Sequence, residues 1–142
     1  MQLLACYPYL NLYLHQDASR VLEAQWNGVA SSVLLRKATL ECVELARAHS
    51  ITGWIADDRQ LGPVSPSDLS WITTFVFPLL VKGGVRRFAR LEALDPRTQR
   101  VIDLVQEIAV QQLPVELPFE LRSFTNPVQA RAWACGQYMP GQ

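Results

Sequence analysis

The order of periodic segments along the chain predicts an α/β protein built on one sheet. Residues 10–15 and 22–26 alternate apolar and polar side chains, which is typical of two half-buried strands in a hairpin. Farther along, strand-like and helix-like segments take turns, and three helices open on a capping residue followed by proline: Ser65-Pro66, Asp95-Pro96 and Asn126-Pro127. Such alternation requires a mostly parallel sheet with right-handed crossovers.

The composition is that of an ordinary globular domain. The chain has 142 residues, of which 49% are hydrophobic and 18% charged, so we expect a single domain over residues 1–142 with its core at about 10–135. Thirteen basic and thirteen acidic residues cancel. This balance favours neither nucleic acid nor an anionic membrane as a partner.

Cysteine and histidine usage bears on location and on metal binding. Cys6, Cys42 and Cys135 are odd in number and lack the spacing of metal ligands, which predicts reduced thiols in the cytoplasm. With only two histidines beside them, we predict no metal site. The chain also lacks a signal-peptide pattern and an apolar segment long enough to span a bilayer, so we expect a soluble cytoplasmic protein.

The first helix is predicted from Ser31 or Ser32 to His49. Its apolar residues recur at helical spacing on one side, which favours an amphipathic helix that packs on the sheet. These residues are Leu34, Leu35, Ala38, Cys42, Leu45 and Ala46.

Residues 53–71 are predicted to form a strand-to-helix unit around which the rest of the fold is organised. Trp54-Ile55-Ala56 is an apolar run suited to a central strand, and the charged triplet Asp57-Asp58-Arg59 is predicted to end it. Gly62-Pro63 then indicates a turn. Ser65 is the expected N-cap of the next helix, with Pro66 at its first position and Asp68 closing a capping box.

The helix from Pro66 to about Leu80 carries more apolar surface than one face of a sheet can bury. Leu69, Ile72, Val76 and Leu79 form one stripe, which leaves a second set that needs its own covering. That second set is Trp71, Phe75 and Leu80. Pro78 should kink or end this helix.

The last third of the chain repeats the strand-then-helix order. We expect a strand over 85–91, a helix from Asp95-Pro96 to about Gln112, an edge strand over about 117–124 because it contains Pro118, and a final helix from Asn126 to near Gly136. The arginines of 85–91 argue against a strand buried on both faces. The whole order is ββαβαβαβα: five strands, mostly parallel with an antiparallel first strand, and helices mainly on one face.

Several segments together resemble the STAS or SpoIIAA-like family, especially its small stand-alone bacterial members. They are Trp26-Asn27-Gly28, Trp54 to Arg59, Gly62 to Pro66, Asp68, Trp71, Phe77-Pro78, Phe124, Ala130 and Trp133. The resemblance implies a β-α superhelix shared with lipid-binding CRAL-TRIO domains and with anti-sigma-factor antagonists. In antagonists a Ser or Thr is phosphorylated at the start of the helix after the third strand. Here Ser65 and Ser67 stand in that region, without the flanking motif.

The candidate functional loop comprises Asp57, Asp58, Arg59, Ser65, Ser67 and Asp68, at the strand end that faces a helix start. Adjacent strand residues point to opposite faces, so Asp57 and Asp58 do not form a catalytic pair while the strand continues. We favour a network that fixes the loop. No phosphate loop, metal cluster or nucleophile elbow occurs, so we predict neither an enzyme nor a cofactor.

Two functions remain open. The first is a non-catalytic regulatory or scaffolding module, a homodimer in contact through Trp71, Phe75 and Leu80. The second is a carrier or sensor of a small apolar ligand or lipid, in which the same residues line a pocket. Within one chain, the final helix or residues 3–9 could instead cover these side chains.

Overall fold

The computed structural model describes residues 1–28, 30–111 and 119–136, and it shows one sheet on which the helices pack. Within these residues the sheet has six strands in the order β1 to β6: Gln2–Tyr7, Leu10–Gln16, Arg20–Gly28, Gly53–Leu61, Arg87–Leu91 and Glu120–Phe124. β1, β2 and β3 are antiparallel, and β3 to β6 are parallel neighbours. The predicted α/β class and the antiparallel start of the sheet are confirmed.

Helices cover both faces of the sheet unequally. They are α1 (Ser32–Ala48), α2 (Pro66–Trp71), a π turn (Ile72–Val76), α3 (Phe77–Lys82), α4 (Pro96–Val110) and α5 (Pro127–Ala134). α1, the π turn and α3 pack on the face that carries Trp54 and Phe88, here called the α1 face. α5 packs on the opposite face, the α5 face, against Ile55 and Ala89.

The sheet has a sixth strand because residues 2–7 pair with β2, so the prediction of five strands was wrong. Backbone pairing runs from Gln2 opposite Leu14 to Tyr7 opposite Leu10. The ring of Tyr9 stacks between Tyr7 and Trp26, and the Tyr7 hydroxyl donates to Glu41 of α1. Residues 2–7 therefore form an edge strand of the sheet. For the predicted last strand, Leu117 and Pro118 lie outside the described residues, and β6 begins at Glu120.

β4 is longer than predicted, because the charged triplet lies inside the strand and does not end it. One extra residue bulges from β4 where Asp57 pairs with Gln25 and Gln60 pairs with Asn27. Each aspartate of the triplet has an arginine beside it, which offsets the cost of placing its charge in the sheet. Alternation therefore places Asp57 on the α5 face and Asp58 on the α1 face.

The π turn decides which side chains of the α2–π–α3 helix face the sheet. Residues beyond a π turn are rotated by roughly 100°, since the turn contains about one residue more than an α-helical turn. Leu79 is consequently 37% exposed, while Leu80 is 2% exposed and belongs to the core. The predicted stripe was thus wrong at Leu79. Pro78, which lacks an N–H, falls in the first turn of α3, and the helix continues through it.

Gly53 lets α5 approach the sheet closely. A Cβ atom built on Gly53 would lie 2.5 Å from the carbonyl oxygen of Ala134. Any larger residue would therefore push the end of α5 away from β4.

Candidate functional site

The predicted functional loop is divided among three separate clusters. Asp57 and Arg59 lie on the α5 face. Asp58 lies on the α1 face, and Ser65, Ser67 and Asp68 lie at the start of α2. The structure therefore does not bring the six predicted residues together.

On the α5 face, Asp57 holds Arg59 in a two-point ion pair. The Nε and Nη2 atoms of Arg59 donate to the two carboxylate oxygens of Asp57 at 2.9 and 2.8 Å. The backbone N–H of Arg59 donates to the same carboxylate at 3.2 Å. Both the pairing and the backbone contact are of the kind expected for a network that fixes local structure.

Beside that pair, the fully buried carboxylate of Glu23 is the centre of a larger network. It accepts from His15 Nε2 at 3.0 Å, from Gln25 Nε2 at 2.6 Å and from Arg131 Nε at 2.8 Å. Burial alone would raise its pKa, but the hydrogen bonds from His15, Arg131 and Gln25 hold the pKa of Glu23 well below its usual range. This network ties α5 to the second and third strands.

On the α1 face, Asp58 faces Arg90 across the β4–β5 pair. The Nε atom of Arg90 lies 3.5 Å from Oδ2 of Asp58, and both side chains are buried. Arg90 also lies over the ring of Phe88, 5.5 Å from its centre. Burial raises the pKa of Asp58 to about 6, since Arg90 offsets only part of the desolvation and Asp57 adds repulsion.

At the start of α2, Ser65 and Asp68 have different roles. Ser65 is the N-cap, as predicted, and its hydroxyl accepts from the backbone N–H of Asp68 at 3.1 Å. The carboxylate of Asp68 accepts from Ser32 Oγ at 2.6 Å and Arg36 Nε at 2.8 Å, which connects α2 to α1. The bond from the N–H of Asp68 to Ser65 is one of the two bonds of the predicted capping box. Ser67 is exposed, 3.5 Å from Arg36 Nη2.

The predicted interface residues separate by burial. Trp71 and Phe75 stack at 5.8 Å between ring centres, and the guanidinium of Arg36 lies over the Trp71 ring, 5.0 Å from its centre. Phe75 is 51% exposed, whereas Leu80 is buried and lines both the cavity beneath this helix and the groove between α1 and α3. Among the side chains described, neither the N-terminal strand nor α5 is part of the aromatic stack.

Sequence reasoning missed Glu23, Arg131 and Arg90. Alternation over 22–26 places Glu23 on the face opposite Leu22 and Ala24, as in the structure, but it does not indicate that the carboxylate is buried. The prediction that the strand over 85–91 is not buried on both faces was wrong, because Phe88 and Arg90 are buried on one face and Ala89 on the other. The one available signal was the spacing of Arg90, which lies two residues after Phe88 in the strand. Side chains two residues apart in a strand lie on the same face of the sheet.

Among the residues that the structure describes, we find neither a group of metal ligands nor a helix that could span a membrane. Among residues 1–28, 30–111 and 119–136, no three His, Cys, Asp or Glu side chains converge as metal ligands would. No helix in those ranges has the length and apolar character needed to cross a membrane. Comparisons with protein-family models, curated proteins and solved structures found no match.

Proposed function

We propose that this chain is a non-catalytic regulatory or scaffolding module that acts through protein contacts, and that its partner is a second copy of itself. The observation that carries the proposal is the stack of Trp71 and Phe75, whose outer ring is left 51% exposed on a helix. Aromatic rings contribute strongly to contact energies, and exposed apolar patches of this kind mark interaction surfaces.

The stack belongs to a wider surface on two helices. Leu40 of α1 is 40% exposed, and together with Leu79 of α3 it lines a groove of about 480 Å³. We call Leu40, Trp71, Phe75 and Leu79 the helix-pair surface. It combines an aromatic anchor with an adjacent groove, and interfaces commonly pair such anchors with pockets.

The charges around this surface favour a copy of the same chain as the occupant. Glu44, Arg47 and Lys82 border the groove, so both signs are present at one rim. A two-fold contact turns this rim of mixed charge onto itself, so neither copy meets a surface of uniform like charge. The chain has no net charge, so long-range repulsion between copies is small. The resemblance to the STAS family also favours a role in protein contacts.

Cavity size argues against the alternative of a lipid carrier. The cavity beneath the α2–π–α3 helix measures about 50 Å³, far below the roughly 300–1,000 Å³ of pockets that enclose ligands of lipid size. A native mass spectrum tests both functions at once. We expect the mass of a dimer. A monomer that retains an apolar molecule would favour the carrier, and a bare monomer would contradict the proposed module.

A further inference from the structure

The small cavity on the α1 face has a polar end at which one buried hydrogen-bond donor lacks an acceptor among the described residues. Its volume of about 50 Å³ has room for a few non-hydrogen atoms. Apolar side chains make up most of its wall, and the aromatic ones are Trp26, Trp54, Phe77 and Phe88. The charged side chains that line it are Asp58 and Arg90.

Arg90 reaches this cavity with an unused hydrogen-bond donor. The residue is 6% exposed, and its Nε atom is buried without a hydrogen-bond partner among the described residues. The nearest carboxylate oxygen, Oδ2 of Asp58, is 3.5 Å away, whereas N–H···O bonds span about 2.7–3.2 Å. Asp58 and Arg90 thus attract each other without completing a hydrogen bond.

An oxygen atom that enters the cavity beside Asp58 and Arg90 would stabilise the pair, because it would accept the hydrogen bond that Arg90 lacks. An unpaired buried donor costs more than an ordinary hydrogen bond contributes, and the cost is larger for a charged group. The same atom could satisfy both residues if it accepts from Arg90 and donates to Asp58. A hydroxyl group has this combination of donor and acceptor.

The opposite charges of Asp58 and Arg90 also limit the net charge of a ligand that could bind beside them. Asp58 and Arg90 cancel, so a ligand with its own charge would bring an uncompensated charge into a buried site. The apolar walls favour a hydrocarbon body. We propose that this cavity is a binding site for a small neutral alcohol, with its hydroxyl between Arg90 and Asp58 and its apolar body along Trp54 and Ile72. The site is independent of the self-association proposed above.

Methyl NMR with 1-butanol as the probe tests this site directly. Ile72 lines the cavity, while Ile55 lies on the opposite face of the sheet, so the chain contains its own control. We expect a saturable shift of the Ile72 methyl signal and no shift for Ile55. Butanoate and butylammonium should bind at least about tenfold more weakly, a difference of about 1.4 kcal/mol. The proposal is overturned if 1-butanol causes no saturable shift, or if either charged analogue binds as tightly.

Variants locate the hydroxyl. Arg90→Met should weaken 1-butanol binding at least about tenfold, because a hydrogen bond from a charged donor is lost. Arg122→Met, an exposed arginine over Trp133, should leave the affinity unchanged. A folded Arg90→Met protein with wild-type affinity would refute the assignment. Should Arg90→Met fail to fold, Asp58→Asn decides: several-fold weaker binding supports the site, and unchanged binding contradicts it.

Discussion

Arg131 of α5 and Glu23 of β3 form a two-point ion pair across 108 residues of sequence, with Nε and Nη2 at 2.8 and 3.0 Å from the two carboxylate oxygens. The carboxylate is fully buried, while the arginine is partly exposed at its outer edge. The pair therefore joins the last described helix to a central strand and fixes how α5 lies on its face of the sheet.

Removal of the arginine should destabilise the fold strongly. Arg131→Met leaves the Glu23 carboxylate buried with only His15 and Gln25 as donors, and breaking a buried pair in this way costs about 3–5 kcal/mol. Urea unfolding gives the free energy. The matched control is Arg122→Met, which removes an exposed guanidinium over Trp133 and should cost no more than about 1 kcal/mol. Equal losses in the two variants would show that Arg131 is not a structural anchor.

The raised pKa of Asp58 predicts an unusual dependence of stability on pH. Its pKa rises from 3.8 to about 6 on folding, so the folded chain binds the proton more tightly and this group favours folding less as pH rises through that window. Arg90 and Asp57 are the charged groups that influence it. Asp58→Asn cannot titrate. Its stability relative to wild type should therefore increase by on the order of 2–3 kcal/mol between pH 4 and pH 7.

Urea unfolding of both proteins at several pH values measures this difference. Glu23 contributes equally to wild type and variant, so its own loss of stability at low pH cancels in the comparison. A difference that stays constant from pH 4 to pH 7 would mean that Asp58 is not desolvated as the structure indicates.

The start of α2 offers a pair of serines two positions apart with different expected effects. Ser65→Ala removes the hydroxyl that accepts from the N–H of Asp68 and should cost about 0.5–2 kcal/mol. Ser67 is exposed, so Ser67→Ala should change stability by no more than about 0.5 kcal/mol. Thermal unfolding of the two variants side by side checks this. Equal effects would remove the structural account of Ser65 and reopen a regulatory role for it.

The Asp57 and Arg59 pair gives a further prediction about β4. Asp57→Ala should cost about 1.5–3 kcal/mol, because it removes the acceptor of three charge-assisted hydrogen bonds and leaves Arg59 without its partner. Denaturant unfolding is the measurement. If the variant keeps wild-type stability, a functional role for the charged triplet becomes the better explanation.

Local signals in the sequence located those features that depend on a few neighbouring residues. Ser65 followed by Pro66 marked the start of α2, and Asn126 followed by Pro127 marked the start of α5. In both cases a side-chain oxygen satisfies backbone N–H groups within three residues, so no distant part of the chain is needed.

The candidate site could not be predicted in the same way, because its contacts join distant segments. Arg90 meets Asp58 only through the register of β5 against β4, in which Arg90 pairs with Ala56. The π turn likewise reverses the exposure of Leu79 and Leu80, and periodicity read from an ideal α-helix does not contain that rotation. Residues 2–7 lack clear alternation, and their pairing depends on β2.

The central claim is that the helix-pair surface holds a second copy of the chain. Phe75→Glu combined with Leu79→Glu places two charges in that surface without disturbing the core, since both side chains are exposed. Val128→Glu on α5 is the control, as an exposed apolar residue on the opposite face of the sheet.

Sedimentation equilibrium on these three proteins is the most direct measurement. Concentrations of tens of micromolar detect contacts with micromolar dissociation constants, which correspond to a binding free energy of roughly −8 kcal/mol. At these concentrations we expect wild type and Val128→Glu to be dimers. The double variant should be a folded monomer. A wild-type protein that stays monomeric, or a double variant that dimerises as tightly as wild type, would contradict the account.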